Sequence, residues 1–414
     1  MRVTVVGGSI AGLAAAVAFR QAGDKVQVFE RRDILLDEGA GLALGPAGIQ
    51  GLSRLGVCLT TPVPLTWRYG SVRNGEARIR AERMLTAAHW YTYARLRKDL
   101  FDAAQGIPIR VDSPVTKVIP LGDVARVQVE GMGEIEGDLV VVAEGIDSKT
   151  RASFFPGITP RAREIVLFRG FIPEASARLV ISTSDMKEFD QKNLQLFASS
   201  KKGGWLVCHL MPERIPGQGR MFQWILYVPA SPREQDEVLT DADGVLQRWA
   251  TQTDKTSERA KSRVREILEA NYPGKLAPLT RAGSFRVHRV AEFLVPRMTE
   301  GRVVFIGDAA HIVPPFTGGG ASLAIEDAIQ LADALNASTS IEDGLAAWNT
   351  RRLGAVHGML ARADLIQKHT LADPPDLAAA SNQEVRVWFE SLFPGDTLGT
   401  LHIFDYEEQV RLLN

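Results

Sequence analysis

Two glycine-rich segments follow apolar runs in this chain, and each could bind a phosphate or another electron-rich group. The first, Gly7-Gly8-Ser9-Ile10-Ala11-Gly12, comes directly after the run at residues 2–6. The second, Gly318-Gly319-Gly320, comes shortly after the run at residues 303–306. Glycine lets a ligand approach the backbone closely, and a helix that begins there offers free N–H groups at the positive end of its dipole. Both segments are therefore candidate sites for an anionic or electron-rich ligand.

The elements around the first glycine segment form a strand–helix–strand unit of about 30 residues. After the predicted helix, Lys25 to Phe29 is predicted as the second strand, and Glu30 follows it. This order is typical of a dinucleotide site, in which Gly7 permits a tight turn, Gly12 lets helix and strand pack closely, and the helix N-terminus receives a pyrophosphate. Glu30 could accept hydrogen bonds from ribose hydroxyl groups. Ser9 replaces the second glycine of the fingerprint, and the fingerprint alone does not distinguish NAD from FAD.

The second glycine segment belongs to a longer string from Gly301 to Leu335, GRVVFIGDAAHIVPPFTGGGASLAIEDAIQLADAL. This string resembles the second FAD-binding motif of the aromatic-hydroxylase flavoproteins, the group A monooxygenases with the p-hydroxybenzoate hydroxylase fold. In that family the aspartate of the Gly-Asp pair holds the ribityl chain of the flavin, and the proline-rich loop and the glycines lie along the isoalloxazine ring. The resemblance therefore implies a role in FAD binding for Asp308, for Pro314 and Pro315, and for Gly318 to Gly320.

Two further segments match motifs of the same family. Arg97-Lys98-Asp99-Leu100 resembles its R-x-x-L element, whose arginine stabilises the cofactor region; a solvated surface arginine is the alternative interpretation. Glu144-Gly145 resembles the start of the middle motif, which serves FAD and, as proposed for the family, the nicotinamide cofactor; Glu144 replaces the family's aspartate. Ser322 stands where the family often has asparagine. The predicted FAD-binding residues are Gly7, Gly8, Ser9, Ala11, Gly12, Glu30, Arg31, Arg97, Glu144, Gly145, Asp308, Pro315, Gly318, Gly319, Gly320 and Ala321.

The sequence offers no other centre for difficult chemistry. The seven histidines show none of the usual zinc-ligand spacings, and there is no G-x-S-x-G nucleophile motif. The resemblance implies that NADH or NADPH reduces a non-covalently bound FAD, that molecular oxygen forms a flavin hydroperoxide, and that one oxygen atom enters an aromatic or heteroaromatic substrate. A base that helps to ionise a phenolic hydroxyl would activate the ring. The candidate catalytic residues are His209, Tyr91 and Tyr93, with His89 as a further possibility; ordinary packing is the alternative for each.

Three other functions remain open at this point. A halogenase would share the N-terminal fingerprint, but its W-x-W-x-I-P motif is absent from the sequence. A reductase of the geranylgeranyl-reductase type would share the fold. A non-catalytic FAD-binding protein is the third alternative, because Ser9, Glu144 and Ser322 depart from the family motifs.

The predicted fold is α/β, or α+β overall. A Rossmann-like FAD-binding domain is predicted at residues 1–70, 95–164 and 275–345, and an inserted antiparallel-sheet substrate domain at 71–94 and 165–274. Residues 346–414 are predicted as a C-terminal helical segment. Within the insertion, Asp241 to Ala270 is predicted to be helical, and Phe168-Arg169-Gly170 with Gln223-Trp224 resembles the branch of the family around 2,6-dihydroxypyridine hydroxylase.

Composition limits the possible partners. The chain has 414 residues and a net charge of −1, so there is no electrostatic case for binding nucleic acid or an anionic membrane. Two cysteines cannot form a disulfide framework. No apolar run approaches the roughly 18–20 residues of a transmembrane helix, and no cleavable leader is evident. We therefore expect a cytoplasmic protein, a monomer or homodimer, whose partners are a small aromatic substrate and molecular oxygen.

Overall fold

The computed structural model describes residues 1–32, 41–57, 63–73, 76–181, 186, 193–198, 204–211, 219–272, 278, 283, 285–376 and 379–392. The helices in this part of the chain are α1 (Ile10–Gln21), α2 (Pro46–Arg54), α3 (Tyr93–Ala103), α4 (Lys149–Phe154), α5 (Glu174–Val180), α6 (Pro232–Leu239), α7 (Glu258–Asn271), α8 (Gly320–Ala337), α9 (Ile341–Gln367) and α10 (Asn382–Leu392). The strands are β1 (Arg2–Val6), β2 (Lys25–Phe29), β3 (Gly41–Leu44), β4 (Val63–Arg73), β5 (Glu76–Thr92), β6 (Ile109–Arg110), β7 (Val115–Pro120), β8 (Ala125–Val129), β9 (Gly133–Gly137), β10 (Leu139–Val142), β11 (Arg161–Pro173), β12 (Asn193–Ala198), β13 (Trp205–Met211), β14 (Met221–Pro229), β15 (Phe285–Leu294), β16 (Thr299–Glu300), β17 (Val303–Phe305) and β18 (His311–Ile312).

A largely parallel sheet forms the first layer, in the strand order β16-β17-β10-β1-β2-β6. Its central strands β1, β10 and β17 are short and rich in valine, the composition expected when both faces of a parallel strand are buried. β1 and β17 both run parallel to β10, so their carboxyl ends lie at the same edge of the sheet. The two glycine-containing turns that follow them meet there: a Cβ added to Gly307 would lie 2.8 Å from the Cβ of Ala11.

The second layer is a larger, mostly antiparallel sheet, in the order β18-β15-β11-β14-β13-β12-β4-β5-β3 among the described strands. Aromatic and aliphatic side chains on one face of β11, β13 and β14, including Phe168 and Trp224, pack with residues of α6 and α7 such as Leu268. The alternating side chains on the other face, among them Leu167, Val207 and Ile225, point the opposite way. Those residues form one wall of the site described below.

The predicted fold class is confirmed, whereas one predicted helix is wrong in its first half. Residues 240–257 are turns, isolated bridges and a single 3-10 turn, and α7 begins only at Glu258. The carboxylate of Asp241 accepts hydrogen bonds from the backbone N–H groups of Asp243 and Val245, which stabilises a tight turn instead of a helix. Ser257 then caps α7 by accepting a hydrogen bond from the backbone of Ala260.

Strand pairing crosses two of the predicted domain boundaries. Residue 70 lies inside β4, and β4 pairs along its length with β5 and with β12 in the large sheet. β15, predicted within the FAD-binding domain, pairs with β11 in the same large sheet. Pairing between strands that are distant in sequence leaves no local pattern, so these boundaries could not be drawn from composition. The assignment of each region to FAD or to substrate stays a prediction.

The helices after the second glycine segment follow the prediction as far as the described residues extend. α8 and α9 pack against each other, and α10 buries Val385, Phe389 and Leu392 against the large sheet. Residues 377–378 and 393–414 of the predicted C-terminal segment lie outside the described part. Among the described residues, we find no helix with the length and apolar character needed to cross a membrane.

Candidate active site

One cavity of about 830 Å³ lies between the two sheets. At one end it is bounded by the turns that follow β1, β10 and β17, with Gly7, Gly145 and Asp308 in its wall. At the other end it reaches the inner face of the large sheet, where Arg169, His209 and other side chains line it. The cavity is therefore long enough to hold a ligand that lies against both glycine segments and the sheet.

The first glycine segment has the geometry that its fingerprint predicts. Gly7 has φ +108°, a conformation that other L-residues rarely adopt, and a Cβ at this position would lie 2.3 Å from the carbonyl oxygen of Ala143. A Cβ on Gly12 would lie 1.8 Å from the carbonyl oxygen of Gly7. Gly7 thus makes the turn possible, and Gly12 lets α1 begin directly against it.

The N-terminus of α1 opens into the cavity without a side-chain cap. The hydroxyl of Ser9, at the N-cap, contacts the hydroxyl of Tyr93 and makes no cap hydrogen bond, and no acidic residue lies in the first turn. Arg97 donates from Nε to the carbonyl oxygen of Gly8, 3.2 Å away, and also lines the cavity. Free helical N–H groups beside a guanidinium fit the pyrophosphate of FAD.

Glu30 takes part in the same turn. Its carboxylate accepts hydrogen bonds from the backbone N–H groups of Gly8 at 2.6 Å and Arg32 at 2.9 Å. The carboxylate therefore orients the glycine turn as well as lining the cavity, where it can still accept hydrogen bonds from ribose hydroxyls. Arg31 beside it is exposed and lines the rim.

The loop after β10 connects the two cofactor motifs. The carboxylate of Glu144 accepts hydrogen bonds from Ser148 Oγ at 2.6 Å and from the backbone of Thr150 at 3.0 Å, so the longer side chain folds back on its own loop. Arg151, which is buried, donates to the carbonyl oxygens of Ile146 and Asp308, and burial lowers its pKa. This guanidinium ties the loop to the Gly307-Asp308 turn.

Asp308 points into the cavity opposite the first glycine segment. Asp308 is exposed where it lines the cavity. The protein around the carboxylate nevertheless desolvates it and raises its pKa, and His311 and Arg151 oppose that rise. A carboxylate in this position can accept hydrogen bonds from a polyol such as a ribityl chain. Gly318, at φ +68°, and the N-terminus of α8 at Gly320 follow in the wall, again without a side-chain cap. Negative charge on a flavin ring would be stabilised there.

A buried ionic network fixes the Gly307-Asp308 turn from behind. The carboxylate of Asp327 in α8 accepts hydrogen bonds from Arg352 Nε at 2.7 Å and from the backbone of Gly307 at 2.9 Å. Its Oδ2 also lies 2.7 Å from His311 Nε2. All three side chains are at most 2% exposed. His311 is therefore part of the packing behind the turn.

Ser322 does not face the cavity. Its side chain is fully buried and lies against α2, where a Cβ added to Gly48 would come within 2.7 Å of its hydroxyl. The small side chain lets α8 and α2 approach closely, so this departure from the family motif is a packing feature and does not remove a group from the described cavity wall.

The far end of the cavity is an aromatic chamber. The rings of Trp205, Tyr227 and Phe316 lie with centroids 5.3 to 6.3 Å apart in tilted and edge-to-face arrangements. Phe316 belongs to the proline-rich loop before Gly318, so the chamber adjoins the wall assigned to the flavin ring. A planar ring is the ligand that such walls favour.

The polar groups of this chamber are arginine, tyrosine and histidine. Tyr227 forms a hydrogen bond with the guanidinium of Arg169, and burial raises the pKa of Tyr227 to about 12. Burial and the charge of Arg169 lower the pKa of His209 and of His288 to about 3. Both imidazoles are therefore neutral near pH 7, and neither is poised to act as a general base there.

The structure places the three predicted catalytic residues in different surroundings. His209 lines the chamber. Tyr93 lines the cofactor end, beside Ser9, and burial raises its pKa. Tyr91 lies outside the cavity wall, where burial and the charge of Asp99 raise its pKa. The side chain of His89 lies outside the described part. A catalytic role for any of them stays a prediction.

Most of the predicted cofactor residues come together in the cavity wall. Those that line it are Gly7, Ser9, Ala11, Glu30, Arg31, Arg97, Glu144, Gly145, Asp308, Pro315, Gly318, Gly320 and Ala321. Gly8, Gly12 and Gly319 shape the surrounding backbone instead, Gly319 by packing against Met359. The sequence did not identify Tyr227 and His288 as site residues, and it pointed to Arg169 only as part of a motif. These three residues lie together because their strands pair in the large sheet, and that pairing leaves no local pattern.

Comparison with known proteins agrees with this geometry. Residues 1–363 match the family model described as FAD binding domain. A probable 2-heptyl-3-hydroxy-4(1H)-quinolone synthase of Rhodococcus erythropolis is 27% identical over 362 residues, covering 83% of this chain and 82% of the relative. The 2,6-dihydroxypyridine 3-monooxygenase of Paenarthrobacter nicotinovorans is 26% identical over 364 residues, covering 87% and 89%.

The fold is similar to solved structures of flavin hydroxylases. The structure of 2,6-dihydroxypyridine-3-hydroxylase from Arthrobacter nicotinovorans matches with a TM-score of 0.79 at 23% identity, over 92% of this chain and 96% of that chain. The resemblance drawn from the motifs is thus confirmed. Because the family match spans most of the chain and its glycine turns and cavity fit FAD, the chain belongs to the FAD-binding family of flavoprotein monooxygenases.

Proposed function

We propose that the protein uses NADH or NADPH and molecular oxygen to hydroxylate an aromatic or heteroaromatic substrate. One continuous cavity joins the glycine segments to an aromatic chamber, and this continuity supports the proposal. The relatives named above include a 2,6-dihydroxypyridine 3-monooxygenase, which also supports a heteroaromatic substrate. FAD, when bound, would accept the hydride and activate oxygen.

The residues of the chain have distinct tasks in this proposal. The N-terminus of α1 and Arg97 bind the pyrophosphate, and Asp308 binds the ribityl hydroxyls. The N-terminus of α8 stabilises negative charge on the ring system. The walls formed by Trp205, Tyr227 and Phe316 orient a planar substrate and exclude water from the reacting atoms.

An oxygen-labelling experiment tests the reaction. The purified holoprotein, supplied with NADH or NADPH, is screened against phenols, hydroxypyridines and hydroxyquinolines for faster cofactor oxidation. We expect at least a several-fold increase with a suitable ring, because lids and cofactor motions commonly gate turnover. Mass spectrometry under ¹⁸O₂ should then show a product heavier by one labelled oxygen atom.

Parallel reactions in ¹⁸O-labelled water serve as the control. Label that enters the product from water, or a product that gains hydrogen or halogen, would contradict the proposal. FAD stoichiometry is measured in the same preparation by releasing the flavin on denaturation. A colourless protein that cannot be reconstituted with FAD would remove the basis for the proposal altogether.

A further inference from the structure

We propose that Gln223 positions the substrate in the chamber: its carboxamide oxygen holds the backbone N–H of Gly41, and its amide N–H donates to an uncharged acceptor of the substrate, a carbonyl oxygen or a ring nitrogen. This inference rests on the proposed function, since it concerns the ligand of the cavity assigned to the substrate. It goes beyond that proposal by naming the group that the substrate presents at this wall and the strand to which that group is connected.

The carboxamide of Gln223 connects two elements that are distant in sequence. Gln223 lies in β14, is 1% exposed and lines the cavity. Its Oε1 accepts a hydrogen bond at 3.0 Å from the backbone N–H of Gly41, the first residue of β3. A Cβ at Gly41 would lie 2.3 Å from that oxygen and 2.7 Å from the Cε of Met211. The absence of a side chain at Gly41 therefore lets β3 come this close to the large sheet.

The amide nitrogen of Gln223 is left for a ligand. A carboxamide has one acceptor end and one donor end, and the N–H of Gly41 takes the acceptor end. The nitrogen donates no hydrogen bond to any described residue. By contrast, Gln235, which is 2% exposed, donates from Nε2 to the carbonyl oxygens of Arg163 at 2.7 Å and Ala230 at 3.0 Å. A buried donor without an acceptor is costly, so we expect a ligand in the cavity to supply the acceptor.

The residues that face Gln223 across the sheet are uncharged near pH 7. The opposite residue is His209 in β13 and Phe171 in β11. Burial and the charge of Arg169 keep His209 neutral, and its Nε2 lies 3.1 Å from the Sδ of Met211. A neutral amide donor among such neighbours compensates for the desolvation of a carbonyl oxygen or a ring nitrogen, but for much less of the desolvation of a full charge. The group bound here is therefore an uncharged acceptor.

β3 connects this contact to the wall assigned to the flavin ring. It leads directly into α2, and α2 packs closely against α8, because a Cβ on Gly51 would lie 2.7 Å from the Cγ2 of Ile325. Leu42, the second residue of β3, also lines the cavity. When the substrate accepts from Nε2, both ends of the carboxamide are fixed. Gln223 thus sets the position of the substrate ring relative to that wall.

Two measurements on the holoprotein test this assignment without turnover. Binding is followed by the change in flavin absorbance with two pairs of neutral probes that differ in one acceptor, acetophenone against ethylbenzene and quinoline against naphthalene. Hydrogen–deuterium exchange of the backbone amides at residues 41–44 is then measured with each probe bound. A hydrogen bond to a neutral acceptor changes the affinity by about two- to tenfold.

The matched variants are Gln223→Met and Gln235→Met, each prepared with its FAD content measured. Both remove a buried carboxamide, but only Gln223 lines the cavity. In Gln223→Met we expect the preference for the acceptor of at least one pair to fall by about two- to tenfold from the wild-type value, whereas Gln235→Met should keep it. In the wild-type protein that acceptor probe should slow exchange at residues 41–44 more than its hydrocarbon partner does, and this difference should disappear in Gln223→Met.

Several results would overturn the assignment. They are failure of both acceptor probes to bind the wild-type protein, an unchanged preference in Gln223→Met, and an equal change of preference in Gln235→Met. Equal protection of β3 by the two members of each pair in the wild-type protein would overturn it as well. If Gln223→Met does not retain FAD, this wild-type comparison decides the outcome.

The outcome is distinguishable from that of the oxygen-labelling experiment. An acceptor preference that depends on Gln223, without any oxygen incorporation, would leave this assignment intact and refute the hydroxylase proposal. Oxygen incorporation with no dependence of binding on Gln223 would do the reverse.

Discussion

Replacing Gly12 by alanine should weaken both the fold and FAD binding, although the same change usually stabilises a helix. A Cβ at Gly12 would lie 1.8 Å from the carbonyl oxygen of Gly7, whereas real Cβ contacts essentially never fall below 3.0 Å. The start of α1 and the turn must therefore separate by about 1.2 Å, the difference between the two values. Overpacking of this kind costs about 1–3 kcal/mol.

Gly354 provides a matched control. It lies within α9, and a Cβ there would meet no atom of the described residues within 4 Å, apart from its chain neighbours and the backbone of its own helix. Gly354→Ala should accordingly stabilise the protein by about 0.5–1 kcal/mol through helix propensity alone. The two variants make the same chemical change in two helices, and we expect opposite signs.

Denaturant unfolding of the apoprotein gives the two free-energy changes, and titration of the apoprotein with FAD gives the affinities. The shifted turn in Gly12→Ala should reduce FAD affinity by about tenfold for each 1.4 kcal/mol of lost binding energy, whereas Gly354→Ala should bind FAD normally. Gly12→Ala with wild-type stability and FAD affinity would refute the packing and the cofactor assignment made from it.

Three further predictions concern charged and titratable groups. Asp308→Ala should reduce FAD retention while the unfolding midpoint of the apoprotein stays close to wild type, because the Asp308 side chain faces the cavity. An unchanged FAD dissociation constant in this variant would argue against a contact between Asp308 and the cofactor. Asp327→Asn should lower the free energy of unfolding by about 3–5 kcal/mol, because it breaks a buried ion pair with Arg352. Asp333→Asn in the same helix breaks a surface pair with Arg54 and should lower it by about 1 kcal/mol or less. Equal losses for the two variants in chemical denaturation would be incompatible with the buried network. His288 is neutral when folded, with a pKa of about 3, and must bind a proton on unfolding below its ordinary value of 6.5. Stability should therefore fall as pH falls from about 6.5 towards 3, and His288→Gln should reduce that slope by up to about 1.4 kcal/mol per pH unit, which denaturation at pH 5 and 7 would detect.

The sequence by itself determined the cofactor half of this protein. The spacing of Gly7, Gly12 and Glu30 is a local pattern typical of a dinucleotide-binding turn, and the structure gives the two glycines positions where a Cβ would meet backbone atoms. The segment around Asp308 could be predicted equally well, because its buried strand, the glycine-containing loop and the helix all lie within residues 303–337. Information that lies within one strand–turn–helix unit can be deduced from order and spacing alone.

Only the tertiary structure decided the substrate half. Arg169, Tyr227 and His288 lie on three strands that are far apart in sequence, and the register of β11 with β14 and β15 brings them together. Their pKa shifts come first from burial, and the charge of Arg169 additionally lowers the pKa values of Tyr227 and His288; neither cause is encoded by residue type or spacing. Residue type singled out Tyr91 as readily as Tyr93, yet only Tyr93 lines the cavity. Long-range strand pairing, which the amino-acid order does not reveal locally, thus determines which polar groups face the substrate.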